Sequence, residues 1–128
     1  QGADVVYHAA GGSGAGLFEA AAEHSEESGS KVWAIGVDSD QYLTAAPEVQ
    51  EYILTSMLKR VDVSVYEIVA AQQDGSFTAG NTVYDLSVDG VGYSTSGDFL
   101  TAEQISQIED FKAQIIDGTI VVPTAPEG

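Results

Sequence analysis

Hydrophobic and polar positions change period several times along this chain, and the changes predict alternating strands and helices. Residues 3–10 (ADVVYHAA) form an apolar run of the length of a buried strand. Glycines follow at positions 11, 12, 14 and 16. Residues 17–28 then read as a helix with Leu17, Phe18 and Ala21 on one face, stopped by Gly29. Residues 31–37 (KVWAIGV) return to a strand, so the opening predicts two parallel strands joined by a right-handed helical crossover. Residues 39–47 read as an irregular loop, 47–52 as a helical turn and 52–58 (YILTSML) as a third strand. An amphipathic helix is predicted over 61–73, with Val61, Val65, Ile68 and Val69 turned inward and Asp74-Gly75 ending it. Two short strand-like pieces, 81–87 and 90–94, flank Asp89-Gly90, a hairpin-turn signal. Residues 101–117 open with Thr101-Ala102-Glu103-Gln104, close to a capping box, and place Ile105, Ile108, Phe111 and Ile115 on one stripe. A last short strand is predicted at 120–123 and a loose tail at 124–128.

This succession predicts a three-layer α/β architecture with a mainly parallel sheet, forming a single lobe over residues 1–123. Composition agrees: 128 residues, 44% of them hydrophobic, suffice for one domain with a real core. No apolar run approaches the roughly 20 residues that a membrane helix needs, and no basic-then-apolar leader pattern is present. Without cysteine, disulfides and thiolate chemistry are excluded. Charge changes the picture most. Twenty Asp and Glu face four Lys and Arg, a formal net charge of −16. Such a chain repels phosphate backbones, so no nucleic-acid partner is expected. The acidic residues are scattered over every segment, which suggests a salt-loving organism in which dissolved salt screens self-repulsion; the alternatives are a merely acidic surface or a cation-binding face. No calcium-loop spacing is present, and neither a metal nor a cofactor is expected.

Candidate chemistry gathers at strand ends. Asp38 stands at the carboxyl end of the second predicted strand and Lys59 at that of the third. Ligands in open α/β sheets sit at those ends. A carboxylate offers two acceptor oxygens suited to a vicinal diol, and an ammonium offers three donors to a polar ligand atom. The plainer alternatives are a helix N-cap or Asx-turn at Asp38 and a mutual salt bridge that merely ties two loops. The glycine turn after the first strand, with Gly11, Gly12 and Ser13, precedes a helix and offers backbone N–H groups to a ligand; equally, it makes a tight turn and close packing. It matches neither the dinucleotide fingerprint nor a P-loop. Ser13 sits where a nucleophile elbow would place a serine, but His8, read inside the first strand, and His24, on the following helix, are poorly placed to serve it. Neither histidine has a metal-ligand partner at a plausible spacing; one reads as strand packing and the other as helix surface. Asp40 and Gln41 orient the loop after Asp38 or line the crevice. Arg60 reads as a surface residue or a partner for local acid, Trp33 and Tyr52 as packing, and Tyr93, Asp98 and Phe99 as residues at the rim of a cleft.

The runs AAGGSGAGLFEAA, VWAIGVDSDQ, ILTSMLKRVDVSVYEIV, DGVGY and IIDGTIVVP, in this order and over nearly the whole chain, resemble the basic membrane protein family. These are nucleoside-binding lipoproteins of the PnrA type that serve ABC importers. The resemblance implies a type I periplasmic-binding-protein fold, of which this chain matches only the C-terminal lobe; the amino-terminal lobe and the lipidated cysteine have no counterpart here. It implies a non-enzymatic receptor that closes two lobes on a nucleoside or related small molecule and delivers it to a permease. The location it implies is extracytoplasmic, membrane-anchored through a lipidated amino terminus. Carried over residue by residue, Asp38 resembles the aspartate that accepts from the ribose hydroxyls, Lys59 the lysine that reaches the nucleoside, and Gly12 a backbone contact. Gly11, Ser13 and Asp40 lie beside them. The alternatives are a sugar or other small-solute receptor or sensory domain of the same fold, a domain whose Asp38 and Lys59 only pair with each other, and, more distantly, a serine hydrolase using Ser13.

Overall fold

The computed structural model describes residues 2–125; of the expected tail, residues 126–128 lie outside them. In chain order the elements are β1 (Val5–Tyr7), a 3-10 turn (Gly11–Gly14) running straight into α1 (Ala15–Ser28), and β2 (Trp33–Asp38). A second 3-10 turn (Gln41–Leu43), the short α2 (Pro47–Gln50) and β3 (Ile53–Lys59) follow. Then come α3 (Val61–Asp74), a third 3-10 turn (Leu86–Val88), β4 (Val91–Tyr93) and α4 (Ala102–Ile116). The sheet order is β1-β2-β3-β4. The first three strands are parallel, and β4 runs antiparallel to β3 with Met57 opposite Tyr93.

The core forms where α1 meets the sheet. Phe18, Ala21, Ala22 and Ser25 repeat at helical spacing and are buried. They pack with Ala34 of β2, Ile53 of β3 and, from the intervening segment, Val49 and Tyr52. Alanines on both sides of the contact let the helix lie close to the strands. The one polar group on this face is satisfied: Ser25 Oγ donates to the Ala21 carbonyl at 2.6 Å and accepts the Val32 N–H at 2.8 Å. Gly29 ends α1 at φ 68°, its N–H returning to the Ser25 carbonyl, as its position predicts.

Side chains alternate across a strand, so Ile35, Thr55 and Met57 look to the opposite face. There, with Tyr93 of β4, they meet Ile108 and Ile115 of α4 across a groove of about 610 Å³. The three layers are as predicted, and so is the capping box. Thr101 Oγ1 accepts from the Gln104 N–H, while Gln104 Oε1 accepts from the Thr101 N–H.

Four expectations fail. The helix over 61–73 forms, but its apolar stripe is not inward: Val61, Val65, Ile68 and Val69 are 56, 55, 44 and 59% exposed. Periodicity reports an apolar face, not what covers it, and no residue of α3 is buried. No hairpin forms around Asp89-Gly90. The turn is real, with Asp89 at φ 53° and the Gly90 N–H on the Asp85 carbonyl, but β4 spends its hydrogen bonds on β3, leaving residues 81–85 irregular. Residues 120–123 run past α4 without joining the sheet, tied by the Ile120 N–H to the Gln114 carbonyl. The first strand is also shorter than the apolar run, so His8 lies beyond it rather than within it.

Burial therefore predicts the mutational profile. Phe18→Ala, at a site 3% exposed, should cost about 3–5 kcal/mol in urea unfolding. Val65→Ser on the open stripe of α3 should stay within about 0.5 kcal/mol; a loss near that of Phe18→Ala would place α3 in the core.

Candidate ligand-binding cleft

Because β1, β2 and β3 are parallel, their carboxyl ends share one edge, and the segments leaving them gather there. Asp38 is the last residue of β2 and Lys59 the last of β3. The backbone at Asp38 is left-handed, with φ 69°. The Ser39 N–H closes on the Val37 carbonyl at 2.9 Å, a tight turn with Asp38 at its centre. A non-glycine residue held this way costs on the order of 1–3 kcal/mol, and such positions cluster at ligand clamps. Lys59 Nζ lies 3.0 Å from Asp38 Oδ1, with side chains 60 and 50% exposed respectively. A pair this open contributes about 0.2–1 kcal/mol, so a ligand can take over either partner cheaply. The structure thus brings together the two residues singled out from the sequence, and they are also the mutual ion pair of the plainer reading.

Gln41 joins three strand exits. Its N–H donates to Ser56 Oγ on β3 at 3.1 Å, and its Oε1 accepts the Val37 N–H on β2 at 2.8 Å. The same oxygen lies 3.1 Å from His8 Nε2, beyond β1. His8 is therefore not strand packing but a hydrogen-bonding residue of the cleft loops. Asp40 Oδ2 accepts from Ser96 Oγ, joining the turn after β4 to the loop after β2, while its Oδ1 is buried without a partner. Nothing in the sequence signals Ser96; only the fold carries it to Asp40.

Gly11, Gly12 and Ser13 are exposed at the start of α1, and a Cβ on Gly11 or Gly12 would meet nothing within 4 Å. No side chain caps the 3-10 turn or the helix that continues it, and backbone N–H groups at such a start are donors of the kind a ligand can use. Neither histidine is hydrogen-bonded to Ser13 among the described residues: His8 engages Gln41 and Ala10, and His24 is exposed on α1.

The remaining candidates lie elsewhere. Arg60 donates to both carboxylate oxygens of Asp62, and this holds the Asp62 carboxyl below the usual range. Phe99 packs on Trp33 at 5.0 Å, and Lys31 Nζ stacks 4.3 Å from the Trp33 ring. Tyr93 donates to Glu109 at 2.8 Å and lines the groove under α4; the hydrogen bond to that carboxylate raises its phenol. Asp98 sits in a left-handed turn at φ 55°.

Residues 1–125 match the family model described as ABC transporter substrate-binding protein PnrA-like. The chain belongs to this PnrA-like family. It is 38% identical over 132 residues to the CD4+ T-cell-stimulating antigen of Listeria monocytogenes, covering 98% of this chain and 37% of that protein. It is 37% identical over 131 residues to the ABC transporter nucleoside-binding protein BmpA of Lactococcus lactis, covering 96% of this chain and 37% of that one. The crystal structure of an ABC transporter solute-binding protein from Aeropyrum pernix has the same fold, with TM-score 0.69 and 24% identity over 99% of this chain and 42% of that one. The chain thus spans a little over a third of the length of these curated relatives (37%). PnrA-like proteins are solute-binding components of transporters, and the structure of this chain is a mixed α/β unit of the expected class.

The strand exits of this PnrA-like chain predict which glycines matter for stability. A Cβ on Gly36 would lie 2.5 Å from Ser56 Oγ and 2.7 Å from Gln41 Oε1, so Gly36→Ala should cost about 1–3 kcal/mol in urea unfolding. Gly12→Ala meets nothing and should cost less than about 1 kcal/mol. Equal costs would show that Gln41 does not occupy the space above β2.

Proposed function

We propose that this chain is most of one lobe of a two-lobe receptor that captures a nucleoside for an ABC importer. The observation that carries the reading is the Asp38–Lys59 pair. A half-exposed carboxylate stands on a left-handed residue at the carboxyl edge of a parallel sheet, with an ammonium 3.0 Å away. The Asp38 carboxylate accepts from two neighbouring ribose hydroxyls, the Lys59 ammonium donates to an acceptor atom of the ligand, and the turn at Gly12 supplies a backbone donor, with Gly11, Ser13 and Asp40 beside it. Binding is all that these groups need do; no bond is made or broken.

Two further points support this reading. The Lactococcus lactis relative is named a nucleoside-binding protein, and a chain of net charge −16 favours an uncharged nucleoside over a phosphorylated one. A second lobe covers what this one leaves open. The chain exposes 8752 Å², against roughly 6,500 Å² for a compact monomer of its size. Exposed apolar side chains mark that surface, on the stripe of α3 and in the groove under α4, where Phe111 is 55% exposed. Closure of two lobes then buries the ligand. The receptor works outside the cytoplasm on a lipid anchor, beside its permease, and its acidic surface suits a salt-rich medium.

Calorimetric titration of the full-length receptor at molar salt, with purine and pyrimidine nucleosides, ribose and free bases, tests the proposal. Tight binding of a nucleoside but not of its free base is expected. Asp38→Ala should weaken it by roughly 10²–10⁴-fold, the loss of two charge-assisted hydrogen bonds at about 1.5–3 kcal/mol each. Nucleoside affinity unchanged in that variant removes Asp38 from the site; binding of ribose alone keeps the fold and changes the ligand.

A further inference from the structure

Two glycines of the cleft have no backbone reason to be glycine. Gly14 sits at φ −64° and ψ −24°, helical values open to any residue. Gly36 lies inside β2 and is not among the glycines of positive φ. What both provide is space. A Cβ on Gly14 would lie 2.1 Å from His8 Cε1, and one on Gly36 would lie 2.7 Å from Gln41 Oε1. The side chains that fill these spaces meet each other, with His8 Nε2 3.1 Å from Gln41 Oε1.

Hydrogen-bond polarity fixes the state of the ring. Gln41 Oε1 already accepts the Val37 N–H at 2.8 Å, so the atom facing His8 is an acceptor and Nε2 carries the proton. On the other side the Ala10 N–H points at Nδ1 from 3.3 Å, so Nδ1 is bare. The surroundings specify the neutral Nε2–H imidazole, packed edge-on to Phe18 with ring centroids 5.7 Å apart.

We infer that His8 is a positioning residue of the ligand cleft: its neutral imidazole clips the glycine turn after β1 to Gln41 in the loop after Asp38, and so sets the spacing between the Gly12 backbone and the Asp38 carboxylate. The ring is also packed by Gly14 and Phe18 at the start of α1 and held by Ala10 of its own loop, so the bond to Gln41 is what carries that fixed position across to the loop after β2. The choice of ligand rests on the nucleoside reading; the clip does not.

The test uses the full-length receptor. Nucleoside affinity is measured by calorimetry near neutral pH on the wild type, His8→Gln and His8→Phe, and NMR of the ligand-free protein reports the ring tautomer and the amides of Gly12, Val37 and Gln41. His8→Gln keeps a donor toward Gln41 and should bind within about threefold of wild type. His8→Phe fills the ring's space without hydrogen bonds and should bind about tenfold more weakly, the worth of one hydrogen bond, with the three amides shifted. In the wild type the ring should be the Nε2–H tautomer. A His8→Phe variant that binds as the wild type does, a His8→Gln variant that binds no better than His8→Phe, or an Nδ1–H tautomer overturns the inference. Absence of nucleoside binding with amides that shift in His8→Phe and not in His8→Gln removes the nucleoside and supports the clip.

Discussion

Parallel strands leave a sheet at the same edge, and the candidate cleft of this chain depends on that constraint. Once β1, β2 and β3 pair in parallel, three segments far apart in sequence must emerge side by side: the glycine turn, the Asp38 loop and Lys59. The pairing is secured from one face. Alanines 21, 22 and 34 let α1 lie close to β2 and β3, and Phe18, Tyr52 and Ile53 fill the space around them. Glycines then finish the edge, since Gly14 and Gly36 admit the side chains of His8 and Gln41 above the strands. A larger residue at any of these points would push the strand exits apart.

The two faces of the sheet differ in kind. The α1 face is a closed core. The α4 face is an open apolar groove rimmed by charge, with Arg60, Asp89 and Lys112 beside Ile108 and Phe111. Each of the four basic residues is engaged by a carboxylate: Lys31 by Glu51, Lys59 by Asp38, Arg60 by Asp62 and Lys112 by Asp89. In a chain of net charge −16, such pairs relieve local repulsion more than they add stability, because all are exposed enough for water to screen them. The Asp38–Lys59 pair joins the carboxyl ends of two neighbouring strands, β2 and β3.

Much of this was legible along the chain. Strand and helix periods, the Gly29 stop, the Thr101 capping box and the carboxyl-end positions of Asp38 and Lys59 all follow from local pattern. Asp38 in particular needed no structure: a run of β-branched and aromatic residues that ends in Gly-Val-Asp delivers its carboxylate beyond the strand. Misreadings arose where a local signal had more than one partner to choose from. Asp89-Gly90 makes its turn, yet β4 pairs with β3, because the Gly90 carbonyl takes the Arg60 N–H and Val91 lies opposite Lys59. The valines of α3 repeat as a core face should, and remain exposed.

By itself the sequence determined the order of elements, the acidity, and which residue types stand at each strand end, because these depend on neighbours within a turn or two of the backbone. Tertiary structure alone decided which of those ends meet. That Lys59 reaches Asp38, that Ser96 caps Asp40, and that His8 crosses the glycine turn to Gln41 are contacts between residues 21, 56 and 33 positions apart. No local period encodes such distances. They follow from the register of parallel strands and from the space that two small residues leave above them.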